Sequence, residues 1–219
     1  LLGSYGSRFA FKPLLAFGGH TSVADTTSHG AYLLNVNTTI GVPNTDAGVC
    51  NDRTDMLNAD TIVFHSSNPA WSAAGTPSYH YIRAKEAGVK FIVIDPIYTA
   101  SAQMLDAYWI PIRTGTDTAF FLGVASEMLR LDKEEGDVVD WEFLDKYTVG
   151  FDADHKPEDL KDDVNFVDYL SGKYDGVEKT AEWASEICGV SVEQITYFAR
   201  EIGKTRNVWM LHNFAAARC

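Results

Sequence analysis

Three apolar runs punctuate this chain, and each stops at a polar tip. Ala59-Asp60-Thr61-Ile62-Val63-Phe64-His65 gives way to Ser66-Ser67-Asn68-Pro69. Val89-Lys90-Phe91-Ile92-Val93-Ile94 breaks off at Asp95-Pro96, and Asn207-Val208-Trp209-Met210-Leu211-His212-Asn213 is the last of the three. Short runs without polar alternation read as strands covered on both faces, the habit of parallel sheets. Between the first two, Thr76 to Ala87 suits a helix, with Gly88 as the residue that ends it. Strand, helix, strand predicts a parallel pair joined by a right-handed crossover. We therefore expect an α/β fold: a parallel sheet holding Thr61–His65, Lys90–Ile94 and Val208–Asn213, flanked by helices on both faces.

The remaining punctuation is read from caps and breakers. Trp109-Ile110-Pro111-Ile112 is a further apolar run that opens into the polar turn Arg113-Thr114-Gly115-Thr116. Asp117 is expected to cap a helix running to about Leu131. A charged turn from Asp132 to Asp140 then precedes a short helix from Asp140 to Tyr147. Gly150 to Gly176 is acidic and irregular. Thr180 should cap a helix Ala181 to Cys188 that Gly189 ends. Ser191-Val192-Glu193-Gln194 has the capping-box spacing, in which Ser and Gln satisfy each other's backbone N–H groups. Its helix should run to Ile202 and stop at Gly203. Near the start, Arg8 to Phe17 suits a helix ended by Gly18-Gly19, and His20 to Asn58 reads as loops. This divides the chain into residues 1–58 and an α/β domain over 59–219.

Composition narrows the partners. With 18 Lys and Arg against 30 Asp and Glu among 219 residues, the formal charge is -12. Such a surface does not attract nucleic-acid phosphates or anionic membranes, so no nucleic-acid partner is expected, and the acidity reads chiefly as a solubility feature. The three cysteines, Cys50, Cys188 and Cys219, form no CxxC pair and support neither a disulfide framework nor a thiolate metal site. Cys188 reads as a buried thiol and Trp183 as core. The chain opens Leu-Leu-Gly-Ser without Met and stops at Arg218-Cys219. We expect it to be a piece of a longer polypeptide.

The candidate chemistry lies at the polar tips. Ligands of open α/β sheets bind just beyond the carboxyl ends of the strands, and an acid there can accept hydrogen bonds from a ribose diol. Asp95 has that place, and Asp117 follows a few residues later, which suggests a nucleotide site. No Gly-x-Gly-x-x-Gly follows any predicted strand, against a NAD-dependent dehydrogenase domain. That reading and a non-catalytic α/β binding module stand as the alternatives. His65 at a strand end reads as structural, and His80, His155 and His212 lack metal-ligand spacing.

Several segments, in order, resemble one family. They are Asn68-Pro69, Ile92-Val93-Ile94-Asp95-Pro96 with Tyr98-Thr99, Trp109-Ile110-Pro111-Ile112-Arg113 with Gly115-Thr116-Asp117, and Phe143-Leu144-Asp145-Lys146-Tyr147. Asp175-Gly176 with Lys179-Thr180, Glu182-Trp183-Ala184-Ser185 and Ala199-Arg200-Glu201-Ile202-Gly203 complete the series. From about Asp60 to Arg218 the chain resembles the catalytic subunit of molybdopterin oxidoreductases of the dimethyl sulfoxide reductase type. The resemblance implies a molybdenum cofactor, bis(molybdopterin guanine dinucleotide), with this domain holding one guanosine end. It implies that Ser67 and Asn68 contact phosphate or pterin, that Asp95 holds the ribose with Pro96 shaping the turn, and that Thr99 belongs to the same motif. Asp117 would bind guanine, because one carboxylate can accept from N1–H and the exocyclic amine together, a donor pair adenine lacks. Arg113 and Thr116 would line that pocket. Ile97 stands where the family often has Arg. Asn213-Phe214-Ala215-Ala216-Ala217-Arg218 stands where it often has Gly-Trp-Gly-Pro-Gln-Arg, leaving Arg218 as the polar candidate at the pterin end.

The family's metal ligand comes from a loop before the first strand. Asp25-Thr26-Thr27-Ser28-His29-Gly30-Ala31 occupies the matching place and aligns Ser28 with that ligand, with Thr27 and His29 as alternatives. The polar stretch Thr21 to Asn51 is expected to be mobile in an isolated piece, since it offers little burial to offset ordering entropy. The resemblance further implies oxygen-atom transfer or a related two-electron reduction of a small-molecule substrate. A 4Fe-4S cluster would lie elsewhere in the polypeptide. An iron–sulfur electron-transfer subunit and a membrane anchor would be partners, with a location in the periplasm or on the outer face of the cytoplasmic membrane. The isolated piece is expected to be inactive.

Overall fold

The apolar runs become strands whose alternate residues feed two separate cores. The computed structural model describes residues 12–19, 39, 52–72, 77–157, 159, 164–204 and 206–212. Contacts divide the chain into two compact units, Leu1–Gly48 and Val49–Cys219. In the first, residues 12–16 form a helical turn, and Gly18 and Gly19 follow it with positive φ. The expected helix from Arg8 is described only over that stretch. The Thr21–Asn51 loop, Ser28 included, lies outside the described residues apart from Thr39.

The second unit carries a sheet of four strands: β1 (Thr61–His65), β2 (Lys90–Ile94), β3 (Tyr108–Ile110) and β4 (Val208–His212). Their order is β3-β2-β1-β4, and every neighbouring pair is parallel. The three predicted strands thus lie parallel in one sheet. β3 covers the start of the apolar run at Trp109.

Helices cover both faces. On one face Ile62, Phe64, Phe91 and Val93 pack with Tyr81 and Ala84 of α2 (Pro77–Glu86) and Ala102 and Leu105 of α3 (Ala100–Leu105). On the other, Val63, Ile92 and Ile94 meet Phe120 and Val124 of α4 (Asp117–Glu135), Ala184 of α7 (Ala181–Cys188) and Ile195 and Phe198 of α8 (Val192–Glu201). Cys188 is fully buried in this second core. Shorter helices are α1 (Pro69–Ser72), α5 (Trp141–Tyr147) and α6 (Phe166–Leu170). Pro69 and Pro77 each open a helix, where a missing N–H costs nothing. Within the stretch read as loops, Arg53–Asn58 forms a 3₁₀ helix whose Met56 is buried beneath α2.

Thr180 and Ser191 cap as predicted, accepting from the N–H groups of Trp183 and Gln194, and Asp140, expected inside its helix, caps it by accepting from Phe143 N–H. Two expectations are corrected. The capping box is half made: the Gln194 amide donates to the Trp109 carbonyl of β3 instead of turning back to Ser191. Helix α4 continues past Leu131 to Glu135 and ends at Gly136, whose φ is positive and whose N–H donates to the Asp132 carbonyl, while the Asp132 side chain holds the turn that follows. One Asp132 oxygen accepts from Val138 and Val139 N–H at 2.9 Å each, and the other from the Trp141 indole at 2.7 Å.

These donors hold the Asp132 carboxyl below the usual carboxylate range, the Val139 N–H foremost and the indole next. Asp132→Ala is expected to cost roughly 1–3 kcal/mol at neutral pH, the value of charged hydrogen bonds to a half-covered group. A depressed folded pKa stabilises above the unfolded value, near 3.9, and that contribution is lost as pH falls through the folded one. Urea midpoints of the two proteins should therefore differ at pH 7 and draw together as the pH falls below the unfolded value.

Candidate functional site

The carboxyl ends of β1 and β2 gather the acidic and hydroxyl tips. The chain leaves β1 through Ser66, held at φ 53°, a left-handed value that non-glycine residues seldom take. Ser66 N–H donates to Ile94 of the neighbouring strand, which turns Ser67 and Asn68 over the sheet edge. Asn68 Oδ1 accepts from the Ser101 backbone N–H at 3.2 Å and from its hydroxyl at 2.7 Å. The Ala70 N–H donates to the same hydroxyl at 3.0 Å. Ser101 is fully buried, so the tip of β1 is pinned to the start of α3.

Asp95 ends β2 one strand away. Its Oδ1 accepts from Ile97 N–H at 3.0 Å, and the Trp109 indole donates to its carbonyl at 2.8 Å. Pro96 is exposed in the turn. Burial raises the Asp95 pKa, the Ile97 N–H and the nearby His65 opposing it in part. A carboxylate held in a partly dry place, with one oxygen bonded to its own turn, is poised to accept a donor from outside.

Asp117 reaches the same edge from α4. It is the first helical residue, and Thr116 holds the cap position without a side-chain cap bond. The expected N-cap role is therefore corrected. The carboxylate turns inward, and Oδ1 sits 2.7 Å from Nε2 of His65, the last residue of β1. The Asp117 side chain stays 16% exposed against 2% for His65, so the acid alone meets solvent appreciably. His65 Nδ1 lies 2.9 Å from Nδ1 of His212, the last residue of β4. The parallel register brings His65 and His212 side by side. Burial, and then the adjacent His65, lower the His212 pKa. His65, Asp117, Thr118, Phe121, Leu122, Phe166 and His212 line a cavity of about 400 Å³.

Sequence reasoning treated His65 as structural and missed this chain of three groups. The signal was present: two five-residue apolar strands each end in His. Among the described residues no cluster of His, Cys, Asp and Glu could hold a metal ion.

Three sequence candidates are committed to the protein's own backbone. The Arg113 guanidinium donates to the carbonyls of Glu186 at 2.8 Å and Ile187 at 3.1 Å, closing the end of α7. Thr116 Oγ1 donates to Arg113 O at 2.7 Å. Thr99 is buried and caps α3 by accepting from Ala102 N–H. Arg218 and Ser28 lie outside the described residues.

A parallel sheet flanked by helices on both faces is an α/β fold, in which ligands ordinarily meet the carboxyl ends of the strands. Molybdopterin oxidoreductase is the family that matches, over residues 3–171, and the chain belongs to it. It is 35% identical over 172 residues to dimethyl sulfoxide reductase DmsA of Escherichia coli K12, covering 77% of this chain and 20% of that protein. Trimethylamine-N-oxide reductase of Haemophilus influenzae is 36% identical over 162 residues, 71% of this chain and 18% of its own length. Biotin sulfoxide reductase of Cereibacter sphaeroides is 32% identical over 229 residues, with 94% and 28% covered. The chain therefore spans between about a fifth and three tenths of these relatives. Acetylene hydratase from Pelobacter acetylenicus shares the fold, with a TM-score of 0.51 and 24% identity over 72% of this chain and 18% of the other.

Proposed function

We propose that this chain is the part of a molybdenum-dependent oxidoreductase that grips the guanosine end of a molybdopterin guanine dinucleotide. The observation that carries the reading is the pair of acceptors at one sheet edge. Asp95 and Asp117 each have one oxygen bonded within the protein and, among the described residues, no hydrogen bond to the other. The chemistry fits the group. A ribose diol offers two O–H donors to an acid such as Asp95. Guanine offers N1–H and its exocyclic amine to an acid such as Asp117. Ser67 and the anchored Asn68 supply polar contacts for phosphate or pterin, with Pro96 holding the turn beside them. Thr99, Thr116 and Arg113 Nη1 bond to backbone groups and shape the pocket walls, while Arg113 keeps its Nε and Nη2 donors.

When bound, the molybdenum centre would supply oxygen-atom transfer or a related two-electron reduction of a small molecule such as a sulfoxide or N-oxide. This chain's residues bind and orient the dinucleotide and keep its base from water. The names of the relatives support a sulfoxide or N-oxide substrate. A second dinucleotide and a 4Fe-4S cluster are proposed for other parts of the polypeptide, with an iron–sulfur subunit and a membrane anchor as partners in the periplasm. Arg218 is the proposed contact at the pterin end.

Molybdenum and pterin assays of the full-length protein test the cofactor directly; a protein that never carries pterin would remove the reading. Ser28 is proposed as the metal ligand, with Thr27 and His29 next. Ser28→Ala is expected to abolish sulfoxide turnover while pterin content stays at the wild-type level. Full activity in that variant would move the assignment away from Ser28.

A further inference from the structure

Resting on the guanosine reading above, we propose that His65 is a positioning residue for Asp117. Backed by His212, it holds one lone pair of the carboxylate so that the remaining edge is presented to the two adjacent N–H donors of a guanine base.

Asp117 needs such a device. It sits in the first turn of α4 yet makes no cap bond, and the terminal torsion of an Asp side chain is broad and roughly two-fold. With nothing else to orient it, the carboxylate plane would swing. His65 supplies the orientation at 2.7 Å. Its own ring is locked: it is 1% exposed, and it meets Phe121 and His212 edge to face with centroids 5.0 and 5.1 Å apart. Each carboxylate oxygen has two acceptor sites, so one bond from His65 leaves Asp117 able to accept two more.

The His65–His212 contact decides which nitrogen carries the proton. An ionised carboxylate only accepts, so His65 Nε2 must carry a hydrogen. In a neutral pair, His65 Nδ1 is then the acceptor and His212 Nδ1–H the donor across the 2.9 Å contact. The His65 Nε2–H therefore points at Asp117. The groups facing His65 are Asp117 from α4, Asp95 from the tip of β2 and His212 from β4. The lowered pKa of His212, whose ring is turned toward His65, agrees with the neutral arrangement.

The test uses cofactor-free full-length protein and titrates guanosine diphosphate and adenosine diphosphate calorimetrically at pH 7. His65→Phe, and His65→Asn, which is too short to reach Asp117, should each weaken guanosine diphosphate about tenfold, the worth of one charge-assisted hydrogen bond. Adenosine diphosphate binding should be unchanged, which a general loss of structure would not allow. His65→Gln, with an amide N–H at similar reach, should recover most of the affinity. Combining His65→Asn with Asp117→Asn should be no weaker than Asp117→Asn alone, because the first acts through the second. If Asp117→Asn weakens binding while both His65 variants bind like wild type, the positioning role is overturned and the guanosine reading stands. Unchanged guanosine diphosphate binding in Asp117→Asn removes the guanosine reading itself, and this inference with it.

Discussion

Asp117→Asn is expected to lower guanine-nucleotide affinity about a hundredfold and to leave the full-length protein poor in molybdenum cofactor. His65 Nε2–H sits 2.7 Å from one oxygen of this side chain and would claim the amide oxygen in the variant. The amide NH₂ would then face the base, donor against donor. One charge-assisted acceptor is lost, and one base donor is buried without a partner. Each costs about 1.5 kcal/mol or more, so about 3 kcal/mol in sum, which converts to roughly a hundredfold. Helix α4 should be little affected, since Asp117 forms no cap bond to lose. Thermal unfolding of the cofactor-free variant at the wild-type temperature, together with low molybdenum content, is the expected pair of results. Normal molybdenum content would count against the guanine contact.

The second large effect is on the fold. Gly123→Val should destabilise the domain by about 3 kcal/mol or more, at the upper end of overpacking costs. Gly123 lies in α4 where it crosses α7, and a Cβ built there would stand 2.3 Å from the Ala184 Cβ and 3.3 Å from the Thr180 carbonyl oxygen. Neither neighbour is the far end of a flexible side chain, so the helices themselves would have to part. Gly123→Ala isolates the clash from helix propensity. Alanine gains up to about 1 kcal/mol in a helix interior, so a net loss in that variant shows that packing outweighs propensity. Urea unfolding at neutral pH measures both variants, and a Gly123→Ala protein more stable than wild type would contradict the close crossing. The same two helices carry Asp117 and the Arg113-capped end of α7, so the crossing also sets the pocket wall.

Local chemistry made much of this legible from the residues. Thr61–His65 and Lys90–Ile94 are strands because unbroken apolar runs can be satisfied only by burial on both faces. Thr180 and Ser191 start helices because their hydroxyls satisfy N–H groups three residues on. The acidic tip at Asp95 was visible because strand ends in such sheets emerge at one edge. The family was legible too, since its short segments keep their order along the chain.

What neighbours decide was not legible. α3 escaped notice because Ala100–Leu105 is short, and its start is defined by Thr99 and by Ser101 bonded to distant Asn68. Gln194 left its capping box because β3 offered the Trp109 carbonyl, a partner 85 residues away in the chain. Asp117 gave up a cap for His65, 52 residues away, and His65 found His212 only because β4 pairs with β1. The apolar period and the caps are written within a few residues, so the sequence by itself determined the strands, most helix starts and the acidic tips. Strand order and helix crossing bring distant residues into contact, so only the tertiary structure decided which imidazole orients Asp117, where Arg113 spends its donors, and which oxygens are left for a ligand.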